Sequence, residues 1–90
     1  MRPEDLRDWI ADYNEQALMA DGFEEAIIGV GERCGQPFLV VYDAHKCIDI
    51  LMKRDGMSVE EAAEFFHFNT VGSWAGEHTP IFLWRHEDEG

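Results

Sequence analysis

Ninety residues make one domain, and a chain of this size buries only about 60–65% of the surface its unfolded form exposes. Nineteen acids against seven Lys and Arg give a formal charge of −12, which repels nucleic acid and anionic membrane and favours a basic protein surface. No stretch approaches the ~20 apolar residues of a membrane span, and MRPEDLRDW is too polar and acidic for a signal peptide. The charge is uneven. Residues 1–25 hold eight acids and two bases, residues 26–55 four of each, and residues 56–90 seven acids and one base. The bland explanation is that the acids keep an aromatic-rich domain soluble. Mimicry of DNA is a narrower one, and it requires acids in one row at phosphate spacing.

Pro3 to Ala20 is expected to be a helix within an N-terminal segment 1–22. Pro3 suits the first turn, Glu4 and Asp5 complement the dipole, and Leu6, Trp9, Ile10, Tyr13, Ala17 and Leu18 recur on one face. Asp21-Gly22 is expected to close it with a left-handed cap. An α+β core over 23–84 follows. Ile27, Ile28 and Val30 suggest a strand within Glu24–Arg33, with Gly29 and Gly31 allowing a bulge or close helix packing. Cys34-Gly35-Gln36-Pro37 reads as a turn into a second strand, Phe38-Leu39-Val40-Val41-Tyr42, whose unbroken apolar run implies burial on both faces. Together they predict an antiparallel hairpin.

Asp43 is the expected N-cap of a helix over Ala44–Arg54, with Ala44, Cys47, Ile48, Leu51 and Met52 on its apolar stripe. Asp55-Gly56 stops it. Ser58 and Glu61 then have capping-box spacing, and Met57 and Ala62 that of a hydrophobic staple. Val59, Ala62, Ala63, Phe65 and Phe66 are expected to face the core. Asn69–Pro80 reads as loop, Ile81–Trp84 as a last strand, and 85–90 as a frayed acidic tail. The order α-β-β-α-α-β predicts one small domain over 1–90, a short antiparallel sheet with helices packed on one face.

Chemistry-bearing residues form no complete signature. The helical hairpin has the spacing of a DNA-reading motif, but its second helix offers Glu60, Glu61 and Glu64 and no base, which excludes that role. His45 with Asp49, Glu64 with His67, and Glu77 or His78 could each donate metal ligands. None forms HExxH or CxxC, so neither metal nor cofactor is expected. Cys34 and Cys47 read as reduced thiols, with one disulfide between them as the alternative. Catalysis by a His/Glu cluster within residues 67–78 is the competing class, and an oligomeric module with Trp74 and Trp84 between subunits is a third.

The loop Gly72-Ser73-Trp74-Ala75-Gly76-Glu77-His78-Thr79-Pro80 has two explanations. Trp74 closes the small core as a lid, or Trp74, Glu77, His78, Asn69 and Trp84 bind a partner, since interfaces favour such aromatics. Residues 26–84 also resemble a group of small bacteriophage-encoded proteins that share VYD…KCI.IL…DGM…EA.EFF.FN..G.W.GE.TP.F. The pattern is carried by Tyr42, Asp43, Lys46, Cys47, Asp55, Gly56, Met57, Glu61, Ala62, Phe65, Phe66, Phe68, Asn69, Gly72, Trp74, Gly76, Glu77, Thr79, Pro80 and Phe82. The resemblance implies a phage protein in the cytoplasm of an infected bacterium, acting without catalysis by binding host or defence machinery. Direct nucleic-acid or membrane binding is not expected, and homo-oligomers remain compatible with it.

Overall fold

The apolar run after Pro37 becomes the central strand of the sheet. The computed structural model describes residues 3–72, 74 and 76–86. Its elements are α1 (Pro3–Tyr13), a 3-10 turn (Glu24–Ala26), β1 (Ile27–Gly31), β2 (Leu39–Asp43), α2 (Ala44–Asp55) and α3 (Val59–Phe65), then a π-helical segment (Phe66–Val71) and β3 (Ile81–Leu83). The class is α+β with the expected order of elements. Of the expected tail, residues 87–90 lie outside the described residues.

β1 and β2 pair antiparallel, Val30 opposite Val40 and Gly31 opposite Leu39, and the register slips between Ile27 and Gly29 so that Ile28 bulges out. The turn between them closes through Gln36 N–H donating to the Arg33 carbonyl, 2.9 Å, with Gly35 at φ 79°. β3 lies on the other side of β2 and runs parallel to it, Val41 opposite Ile81 and Tyr42 opposite Phe82. The sheet is therefore mixed, not wholly antiparallel. A crossover through α2 and α3 returns the chain to the end of the sheet from which β2 starts, and parallel pairing needs such a long connection.

One face of the sheet makes the core. Val40 and Tyr42 are fully buried there with Ala44, Cys47 and Leu51 of α2, Ala62 of α3 and Phe66, while Ile10 of α1 closes one side. Burial of β2 on both faces is not found: Val40 and Tyr42 alternate with half-buried Leu39, Val41 and Asp43. The helices all pack on the Val40 face, so the run of β2 is covered from one side only.

The first helix is shorter than its periodicity predicts. Asn14 ends it: the side-chain amide donates to the Phe38 carbonyl at 2.8 Å, and its Oδ1 accepts from Gln16 N–H at 3.0 Å. Such a side chain offers the backbone an alternative to the helix. Beyond it Leu18 N–H donates to the His78 carbonyl at 3.2 Å, and Ala20 N–H donates to the Tyr42 hydroxyl at 2.7 Å. Gly22 is left-handed, φ 89°, but it turns the chain into the 3-10 segment instead of capping α1. Tyr13 and Leu18 remain exposed, whereas Leu6, Trp9 and Ala17 pack on the core.

The caps of α2 and α3 are those expected. Asp43 accepts from Lys46 N–H, Gly56 ends α2 at φ 68°, and Ser58 and Glu61 form both bonds of a capping box. Ser58→Ala is expected to lower stability by about 1 kcal/mol. Urea unfolding checks this, since a shifted midpoint at constant slope isolates the cap. Val59 and Phe65 do not join the core, at 54% and 38% exposure. α3 has only seven residues, and its buried stripe reduces to Ala62, continued by Phe66.

Candidate functional site

Phe66 begins a wider helical turn where a loop was expected from Asn69. Gly72 N–H donates to the His67 carbonyl at 3.0 Å, the five-residue spacing of a π-helix. The turn closes on a glycine for lack of room: a Cβ at Gly72 would sit 3.0 Å from the His67 carbonyl oxygen and 3.2 Å from that of Phe68. Phe66 and Thr70 point inward and are buried. His67, Phe68 and Asn69 point outward, and Phe68 is 76% exposed, the most exposed large apolar side chain among the described residues. Phe68 and Asn69 line a groove of about 270 Å³ with Met57, Glu61, Glu64 and Phe65. With Glu60, this stretch of the chain carries three carboxylates and no Lys or Arg.

Trp84, after β3, is 45% exposed. His67 stacks on its ring at 5.5 Å and 13°, His45 of α2 meets it edge-on at 5.2 Å, and Phe66 supports it from within at 5.8 Å. The cluster thus ties α2, the π segment and the chain after β3 into one aromatic surface. Its stacked and edge-on geometries are those aromatic quadrupoles prefer.

The five residues read as a binding loop are divided between two places. Asn69 and Trp84 belong to the groove and the aromatic cluster. Trp74 is half-buried and packs against the core, with its indole N–H enclosed and without an acceptor among the described residues. His78 stitches the loop to the segment after α1. Its Nδ1 lies 3.1 Å from the Asn14 side-chain amide, whose other N–H goes to Phe38, so Nδ1 accepts and Nε2 carries the proton. That Nε2 faces Glu77 at 3.8 Å, and Glu77 is itself exposed. Thr79 donates to the Gly76 carbonyl at 2.8 Å and tightens the loop. Trp74 and His78 hold this loop to the body of the domain.

The His/Glu cluster of the competing class, near residues 67–78, is not assembled among the described residues: His67 packs on Trp84, while His78 meets Asn14 through one ring nitrogen and Glu77 through the other. Among the described residues no three His, Cys, Asp or Glu side chains gather at metal-binding distance. Both cysteines are free thiols, Cys34 exposed in the hairpin turn and Cys47 in the core. Phe65, Phe68, Met57, Glu61 and Glu64 were not singled out as binding residues by pattern. The available signal was Phe65-Phe66-His67-Phe68, three Phe in four positions, which no single helical stripe can bury.

Burial pushes the Cys47 thiol up to about 12, with the Asp43 carboxylate adding to it, and burial likewise raises the Tyr42 hydroxyl to about 12. In the unfolded chain these groups ionise near ~8.5 and ~10. Above those values the unfolded state binds fewer protons than the folded one, so stability falls as pH rises toward about 12. The expected loss reaches about 1.4 kcal/mol per pH unit for each group. Urea midpoints measured on the alkaline side should decline, less steeply in Cys47→Ala; a flat profile there would contradict the burial of both groups.

The fold and surface define a small mixed-sheet α+β domain with an acidic, aromatic groove. No protein-family model, curated protein or solved structure matches the chain. No helix among the described residues is long and apolar enough to cross a membrane.

Proposed function

We propose that this chain is a non-catalytic bacteriophage accessory protein that binds a host or defence-system protein through the acidic, aromatic surface of α3 and the π segment. The observation that carries it is Phe68, 76% exposed on a π-helical turn. π-helical turns are rare and recur at functional sites. Burying a Phe side chain is worth about 1.5–3 kcal/mol, and here that gain is withheld from the fold and left for a partner. Phe65 and Trp84 extend the apolar area, and interfaces take much of their energy from such anchors. Glu60, Glu61 and Glu64 specify a partner whose contacting surface is basic. The acids are spread over α1, residues 21–25, α2, α3 and the loops, which favours a local acidic patch at α3 over a phosphate-like row.

Affinity capture from an extract of the infected host tests this. One protein with a basic contact surface should be retained at low salt, and its association should slow as salt is raised. Recovery of no specific protein, together with normal phage growth after deletion of the gene, would remove the proposal.

A further inference from the structure

We infer that the open face of the sheet docks a second copy of this chain, giving a weak two-fold dimer that leaves the α3 groove of each copy free. Ile28, Leu39, Val41, Ile81 and Leu83 share the face opposite the core, and none belongs to the packed core cluster. Ile28, Ile81 and Leu83 are 45%, 41% and 43% exposed. Gly29 and Gly31 lie on the same face. A Cβ at Gly29 would meet no atom within 4 Å, so the strip has a hollow beside Ile28, whereas Gly31 is covered by Val41 and Ile81, which lie 3.0 and 3.6 Å from where its Cβ would be.

Charge selects the occupant. In a chain of −12 this strip has a balanced rim. Glu32 and Arg33 border the cleft at the hairpin end, and Asp43 is paired with Arg85 at 3.0 Å at the other. A basic partner is drawn to the α3 carboxylates and gains nothing here. A second copy meets this face without the repulsion that acidic surfaces would bring. With the strips antiparallel, the Glu32/Arg33 end of one copy lies against the Asp43/Arg85 end of its partner, acids beside bases. Ile28 of each then enters the glycine hollow of the other, a self-complementary contact of the kind a two-fold axis requires. Sheets pack face to face at ~10 Å in this way. Three strands at ~4.8 Å spacing, two of five residues and one of three, make a small patch. It falls below the ~800 Å² per partner of a standard interface, which makes the dimer weak.

Sedimentation equilibrium of the full chain from micromolar to millimolar concentration tests this independently of the α3 groove. The mass should rise from 10.4 kDa toward twice that value. Ile81→Lys and Gly29→Glu should each weaken the dimer about tenfold or more while the urea midpoint stays near that of the parent. The Gly29 change is the safer of the two for folding, because its site is open. A monomer at every concentration, or a dimer indifferent to both substitutions, would overturn the inference.

Discussion

Phe66→Ala is expected to lower stability by about 3–5 kcal/mol, the range for removing a fully buried aromatic side chain. Phe66 has no exposed surface and its ring meets Phe82 at 5.2 Å, Trp84 at 5.8 Å and His67 at 5.9 Å. It therefore joins the π segment to β3, and the cavity left by alanine would open where helix and sheet meet. A small domain has only about 5–15 kcal/mol in total, so the variant should populate unfolded chain even without denaturant. Urea unfolding followed by tryptophan fluorescence would read this as a midpoint lowered by 2 M or so, given slopes of about 1–3 kcal/mol/M. Phe68→Ala, two residues on, should change stability by no more than about 0.5 kcal/mol.

The second large effect is expected at Tyr42. Its hydroxyl accepts the Ala20 N–H at 2.7 Å inside the core, and this bond fastens the irregular segment after α1 to the central strand. Tyr42→Phe keeps the ring stacked on Phe82 but leaves a buried N–H without an acceptor, at a cost of about 1–3 kcal/mol. Hydrogen exchange locates the loss: the Ala20 amide should exchange faster in the variant, ahead of the amides of β2. Unchanged protection at Ala20 would show that the bond does not hold the segment.

What could be read from the chain was what is local. Asp43, Gly56, Ser58 and Glu61 act on backbone groups a few residues away, so α2, α3 and the turn between them followed from spacing. The end of α1 did not, because Asn14 stops the helix by bonding to Phe38, twenty-four residues on. The direction of β3 depends on where α2 and α3 return the chain, which periodicity does not encode. An apolar run such as Leu39–Tyr42 reads the same whether one or both faces are covered. The site was half legible for the same reason. Asn69 and Trp84 do reach the exposed aromatic surface, whereas Trp74 is taken up by the core and His78 by Asn14, sixty-four residues away. Phe68 was hidden in an apolar cluster because helical periodicity assumes 3.6 residues per turn, and the π segment departs from it.

That division between Phe66 as structure and Phe68 as recognition is also what makes the proposed function testable in a single comparison. The measurement is the affinity of the captured partner for the parent chain and for Phe68→Ala, by calorimetry, with urea midpoints determined in parallel. Affinity should fall about thirtyfold or more in Phe68→Ala, the ~2 kcal/mol of an interface hot spot, with the midpoint essentially unmoved. Equal affinity of the two proteins would contradict it.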